Sequence, residues 1–305
     1  MIRSQSGTSD KSYAEPVAER LAVRKTYKLY VGGAFPRSES GRSYAVNDSR
    51  GTFVANAALA SRKDARDAVV AARKAFTSWS AATAYNRGQI LYRVAELLEG
   101  RRAQFVDEVG RDEGVNGRRA GELVDAVIDR WVWYAGWSDK IAQIHGSSNP
   151  VAGPYFDFST PEPTGVVAIV APQASSLLGL VSVVAPAIVS GNTSVVLASQ
   201  ERPLPAVTLT EVLATSDLPG GVVNLLTGHT AEVAPWLASH MDVNAIDLAG
   251  AESELVADLE RAAAENLKRV LRPPTDGEPD WLAEPDLTRL LFPLETKTVW
   301  HPVGT

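Results

Sequence analysis

The 305-residue chain carries 30 Lys and Arg against 36 Asp and Glu, a formal net charge of −6, and contains no Cys. The acidic balance, with its cations scattered rather than gathered into a stripe, argues against a nucleic-acid or anionic-membrane binder. The missing Cys removes any disulfide framework, thiolate metal site or thiol nucleophile.

Residues 1–24 are polar and lack the apolar core of a secretory signal, so they read as the loose N-terminal tail of a cytoplasmic protein. Residues 27–31, then Gly32-Gly33, then 44–46 read as a hairpin of short strands. Helices are expected next. Ser61 caps the first, with Ala65, Ala68, Val69, Ala72 and Phe76 on one stripe. Asn86 with Gln89 resembles a capping box for the second, in which Ile90, Leu91, Val94, Leu97 and Leu98 face inward and Gly100 is the stop. A third helix covers 101–109, 114–121 is a break, and a fourth runs from Glu122 to about Lys140. Its aromatics Trp131, Trp133, Tyr134 and Trp137 could stack on a base or sugar ring. Their helical spacing alongside Leu123, Val127 and Ile128 favours a packed core or subunit seam. Residues 146–150 are a loop, and 154–160 alternate like an exposed or intersubunit strand.

From Pro163 to Gln200 no side chain is charged. Residues 166–170 are a β-branched run suited to a strand buried on both faces. Pro172, Ser175 and Ser176 mark a turn, and Leu177, Leu180, Val181, Val184 and Ile188 recur at helical spacing. Gly191-Asn192 ends that helix, and 193–197 is a second buried strand. A Pro, a Gln and two Ser break the run before the ~20 apolar residues that a membrane span requires. Helices at 204–215, 231–239 and 253–264 then alternate with strands at 222–226, 245–248 and 268–271. Five strands separated by helices imply a Rossmann-like, doubly wound parallel α/β sheet. Residues 273–289 are rich in Pro and read as a connector, and 290–300 regain alternation. That last strand has no partner in the preceding sheet and is expected to pair elsewhere, with another subunit as one candidate. His145, His229, His240 and His301 stand in no Ser/His/Asp or metal-ligand spacing, so no catalytic or metal residue is assigned.

In order and spacing, LYVGG, AARKAF, YAGWSDK, EPTGVVAIVAP, APAIVSGNTSVV, DLPGGVVNLLTG, ASHMDV and NLKRV resemble the coenzyme-binding domain of the aldehyde dehydrogenase superfamily over residues 27–270. The ending LETKTVW resembles that superfamily's C-terminal oligomerisation strand. The resemblance implies a coenzyme-binding domain at 25–272 with an arm segment at about 141–163, the connector at 273–289, and an oligomerisation strand at 290–305. It also implies that the catalytic domain between them, with its nucleophilic Cys, is missing. The family's Pro-Trp-Asn, whose Asn helps hold the oxyanion, matches Pro172, Gln173 and Ala174, and its general-base Glu falls on Pro273. The Lys-Pro-Ser-Glu that holds the adenosine ribose matches Leu197, Ala198, Ser199 and Gln200. The Gly-Ser under the pyrophosphate becomes Gly250-Ala251, followed by Glu252, which either caps the next helix or fills the anion site.

The leading expectation is therefore a non-catalytic aldehyde dehydrogenase-like pseudoenzyme acting as an assembly or regulatory subunit. It would be oligomeric with itself or with a full-length aldehyde dehydrogenase, without nucleic acid or membrane partners and without a required cofactor. The alternative is an NAD-binding subunit working with a catalytic partner and holding NAD weakly through Pro172, Ser199, Gln200, Gly228 and Gly250. Strand, helix and cap patterns stay coherent through Val270, which argues against a decayed gene product.

Overall fold

The structure is a computed structural model that describes residues 23–275 and 277–304; the tail expected at 1–24 lies outside them except for Val23 and Arg24. The chain begins with a small sheet of Thr26–Tyr27 (β1), Ser43–Asn47 (β2) and Phe53–Ala58 (β3), ordered β1-β3-β2. The expected hairpin between 27–31 and 44–46 does not form. β3, which no sequence pattern announced, lies between the two segments, parallel to β1 and antiparallel to β2. Tyr30 instead bridges Leu225, its N–H and C=O exchanging hydrogen bonds of 3.0 and 2.7 Å with that residue, and so covers one edge of the main sheet.

Arg62–Ala81 (α1) starts at Ser61, whose hydroxyl accepts from the Lys63 and Asp64 N–H groups while the Asp64 carboxylate accepts from the Ser61 N–H. Such a box contributes about 1 kcal/mol. Ala84–Gly100 (α2) is capped by Thr83 and not by Asn86; the Asn86 N–H is the donor to the Thr83 hydroxyl. Arg102–Glu113 (α3) ends at Gly114, and Gly117–Trp137 (α4) begins ahead of the expected start because Asn116 caps it. In α4, Trp131 and Tyr134 are buried, as a packed core requires. Ile141–His145 (α5) leads to Ser147–Asn149 (β4), where the sequence predicts a loop, and to Tyr155–Pro163 (β5).

The main sheet is built from Val166–Val170 (β6), Thr193–Leu197 (β7), Val223–Leu226 (β8), Ala245–Asp247 (β9) and Arg269–Leu271 (β10), in order β10-β9-β6-β7-β8 and parallel throughout. Its connections are Leu178–Val189 (α6), Leu204–Leu213 (α7), Thr230–Ser239 (α8) and Ser253–Ala264 (α9). This is the doubly wound arrangement that the alternating pattern implied. Val167 and Ile169 of β6 face a core shared with α2, α3, α4, α6 and α7. Val166, Ala168 and Val170 face a second core with α1, α8 and α9. Helix α6 is buried at every residue, which explains why its sequence is apolar on all sides. The Trp79 indole of α1 donates to the Ile188 carbonyl at 2.8 Å and ties the N-terminal helices to α6.

After β10 the connector crosses the sheet margin to a short helix, Thr288–Leu291 (α10), and a final strand, Leu294–Pro302 (β11). β11 pairs antiparallel with β5 of the same chain, from Leu294 opposite Pro163 to Pro302 opposite Tyr155, so the strand does not need another subunit for a partner. With β4 they form a separate sheet ordered β11-β5-β4. The connector is pinned to the main sheet by a buried ion pair: Arg289 Nε donates at 3.0 Å to Asp247, whose side chain is 1% exposed. Arg289→Met should therefore strand a buried carboxylate and destabilise the fold by about 3–5 kcal/mol in urea unfolding, with Asp247→Asn on the same chain recovering part of that loss.

Candidate cofactor site

Strands β6, β7, β8 and β9 end at Val170, Leu197, Leu226 and Asp247, and the loops that follow gather at one edge of the sheet. In open parallel sheets ligands bind outside these carboxyl ends, at the crevice where strand order reverses, here between β6 and β9. All five predicted positions fall on these loops: Pro172 after β6, Ser199 and Gln200 after β7, Gly228 after β8, and Gly250 after β9. At this crevice the loops after β6 and β9 approach backbone to backbone. The Gly250 N–H donates to the Val170 carbonyl at 2.9 Å, and a Cβ on Gly250 would lie 1.8 Å from the Ala171 carbonyl oxygen and 3.0 Å from Pro172 Cα. Gly250 is thus required for close packing of protein on protein.

The polar groups of the edge are wired to one another. Gln173 Nε2 donates to the Ala171 carbonyl at 2.7 Å, and Gln173 Oε1 accepts from the Gln200 N–H at 2.9 Å. The Ser199 hydroxyl donates to the Gln173 carbonyl at 2.9 Å and accepts from the Arg202 N–H at 3.2 Å. Gln200 Oε1 accepts from the Thr230 N–H, and Arg202 Nη1 donates to the Ala174 carbonyl at 2.6 Å. Leu197 is fully buried in the sheet. Glu252 occupies the N-cap position of α9, but its exposed side chain makes no cap bond, so it neither caps the helix nor fills an anion site.

Gln200 alone of the five lines a cavity of about 390 Å³, together with Tyr44, Asp48, Asp112, Arg202 and His229. Burial pushes the Tyr44 hydroxyl and the Asp112 carboxyl above their ordinary pKa values. With Glu201 also on the wall, carboxyl groups outnumber guanidinium groups there, a balance unsuited to a pyrophosphate. A larger concavity, about 920 Å³, lies between α2 and α4 and contains none of the five positions. Among the described residues no group of three or more His, Asp or Glu side chains is placed to hold a metal ion.

Two carboxylates important at this edge carry no sequence signal. Glu278 accepts from the Ala174 N–H at 2.6 Å and the Ser175 N–H at 3.2 Å, across 104 and 103 positions. Glu113 accepts from both the N–H and the hydroxyl of Ser176 at 2.7 Å, across 63 positions. No local pattern marks either, because the fold alone brings their partners near.

The aldehyde dehydrogenase family profile matches residues 35–272. Retinal dehydrogenase 2 of Gallus gallus is 34% identical over 255 residues, which cover 82% of this chain and 48% of that protein. Cytosolic 10-formyltetrahydrofolate dehydrogenase of Mus musculus is 31% identical over 279 residues, covering 88% of this chain and 31% of that protein. Among solved structures, an NAD+ complex of an aldehyde dehydrogenase from Bacillus cereus superposes with a TM-score of 0.75 at 25% identity, covering 81% of this chain and 50% of that one. The chain thus spans half or less of the length of these relatives.

Burial raises the Glu113 carboxyl above its ordinary 4.5; the bonds from Ser176 and the charge of Arg202 oppose the shift, and the charge of Glu278 adds to it. The native state then holds this proton more tightly than the unfolded chain does, so the stability linked to it is present below the unfolded value and is lost as pH rises through the raised native one. Glu108, Asp112 and Asp247 shift the same way, each chiefly by burial. Thermal melts between about pH 4 and about pH 8 should show Glu113→Gln losing less stability with rising pH than the unaltered chain. Parallel curves for the two proteins would contradict the assignment.

Proposed function

The chain belongs to the aldehyde dehydrogenase family, and on that premise we propose that it is a catalytically silent member acting as an assembly or regulatory subunit. Its partner is a second copy of itself or a full-length aldehyde dehydrogenase. The observation that carries this reading is the β4–β5–β11 sheet. Its outer strand β11 has one open edge and carries Trp300, 59% exposed, while Tyr155 and Phe156, 46% and 49% exposed, lie on β5 beside it. Open edges bearing aromatic side chains are templates for pairing with another chain unless something covers them.

The chemistry supports silence. None of the 305 residues is Cys, Gln173 and Ala174 stand where the resemblance implies Trp and the oxyanion-holding Asn, and Pro273 stands where it implies the general-base Glu. The element that follows β10 is the short helix α10, and β11 comes after it. No helix among the described residues is long and apolar enough to cross a membrane. A cytoplasmic location belongs to the same proposal, and the absence of nucleic-acid or anionic-membrane partners in it is supported by the net charge of −6.

A second reading, an NAD-binding subunit that serves a catalytic partner, is favoured by the likeness to the Bacillus cereus NAD+ complex. It would use Pro172, Ser199, Gln200, Gly228 and Gly250, of which Ser199 and Gln200 already bond to neighbouring loops.

Size-exclusion chromatography with light scattering should give a dimer or larger species, or co-elution with a co-expressed full-length aldehyde dehydrogenase. Phe156→Lys with Trp300→Lys should abolish that association while the unfolding free energy stays within roughly 0.5 kcal/mol of the unaltered chain. A strict monomer under both conditions would overturn the assembly reading. Purified protein should form no NADH from aldehyde and NAD, and a flat NAD titration followed by Trp fluorescence would remove the second reading.

A further inference from the structure

Lys28, Arg37 and Arg42 stand apart along the N-terminal segment, yet the fold brings all three to one cavity of about 260 Å³ beside the β1–β3–β2 sheet. Thr26, Ser38 and Ser43 line it too, and no carboxylate does. The surrounding stretch is basic in a chain whose net charge is −6: residues 24–42 hold five Lys and Arg against one Glu.

The backbone fixes where these cations sit. The Gly41 N–H donates to the Ser38 carbonyl at 2.9 Å in a turn that Gly41 completes at φ +67°, so Arg37 and Arg42 flank a tight reversal. The Leu29 N–H donates to the Pro36 carbonyl at 3.1 Å and the Leu59 N–H to the Arg42 carbonyl at 3.0 Å, which ties both ends of the turn to neighbouring segments. Ser38, 4% exposed, anchors its middle by donating to Asp64 at 2.8 Å. The two carboxylates of this corner are committed elsewhere. Asp64 also accepts from the Glu39 and Ser61 N–H groups, and Glu39 takes the Ser61 hydroxyl and the Lys63 ammonium. Among the described residues Lys28, Arg37 and Arg42 have no ion-pair partner, and the Arg42 guanidinium reaches only the Ser40 hydroxyl, 3.4 Å from Nε.

Three like charges around one small cavity repel one another, and a cavity lined by one sign of charge concentrates ions of the other sign. A carboxylate brings one charge. A phosphoryl group at neutral pH carries about two on a compact centre with three acceptor oxygens. Guanidinium forks bind such oxygens in pairs, and an ammonium adds a point charge. The Thr26 and Ser43 hydroxyls, which have no partner among the described residues, supply further donors.

We propose that the cavity bounded by Lys28, Arg37 and Arg42 is a binding site for a phosphoryl dianion, borne by free phosphate or by a small phosphate ester. It includes none of the five positions at the strand ends and none of the aromatic side chains of β5 and β11. Failure here therefore leaves the assembly reading standing, and a strict monomer would leave this site in place.

Titration calorimetry of the full chain with inorganic phosphate at low salt should give one saturable site with a Kd of about 1 mM or tighter. Arg37→Gln with Arg42→Gln should weaken binding by roughly tenfold or more, at an unchanged melting temperature because both side chains are exposed. Lys28→Gln, on a separate segment, should weaken it in the same direction. Arg93→Gln with Arg118→Gln makes the same charge change on α2 and α4 and should leave binding unaltered. Acetate should bind roughly tenfold more weakly than phosphate. Glycerol 3-phosphate matching phosphate would identify an ester as the ligand, and binding of phosphate alone would identify the free ion; either supports the site. No saturation by about 20 mM phosphate, equal losses in the two double variants, or acetate binding as tightly as phosphate would overturn the proposal.

Discussion

Three asparagine side chains at the N-terminal edge of the parallel sheet carry a constraint on which the remaining architecture depends. Strands buried on both faces must enter the sheet through loops whose backbone groups find partners away from water. Asn192 Oδ1 accepts from the Gly165 N–H at 2.8 Å, and its Nδ2 donates to Ser190 Oγ and to the Pro293 carbonyl, both at 2.9 Å. Asn244 Oδ1 accepts from the Val166 N–H and from Arg73 of α1. Asn224 Oδ1 accepts from the Gly32 N–H at 2.9 Å, and its Nδ2 donates to the carbonyls of Ser194 and Gly221. One amide each thus ties the C-terminal strand, the first helix and the N-terminal turn to the sheet. Gly165 shows how tight the arrangement is: its φ is +138°, and a Cβ there would sit 2.1 Å from Asn244 Oδ1.

At the opposite edge the same demand for satisfied polar groups has a different outcome. Gln173, Ser199, Gln200 and Arg202 bond to neighbouring loops, and Glu113 and Glu278 take the amides of the first loop. A hydrogen bond to a charged group contributes about 1.5–3 kcal/mol, and an unmet buried partner costs a similar amount. An entering ligand would have to replace these contacts as well as supply its own. At the edge that holds ligands in open parallel sheets, several polar groups are here already bonded within the protein.

How much of this is legible in the sequence varies by element. β6 and β7 can be read residue by residue because a strand covered on both faces must be apolar throughout, and α9 because its amphipathic stripe has the helical period. β3 escapes because FVANAA is rich in Ala and carries a weak strand signal, although Ala57 is fully buried. The start of α4 is displaced because Gly117 and Gly121 look like breakers, whereas the Asn116 cap starts the helix there. β4, a short polar SSN, becomes a strand only because β5 lies beside it.

The sequence by itself determined the doubly wound sheet, the family likeness and the absence of a thiol nucleophile. Periodicity, motif order and composition are local or additive properties that a single chain displays in full. Only the tertiary structure decided that β11 pairs with β5 of its own chain, that Gly250 packs on the Ala171 carbonyl, and that Glu278 fills the turn before α6. Those outcomes depend on groups far apart in the chain meeting at contact distance, and no spacing along the chain records which distant carboxylate will reach a given amide.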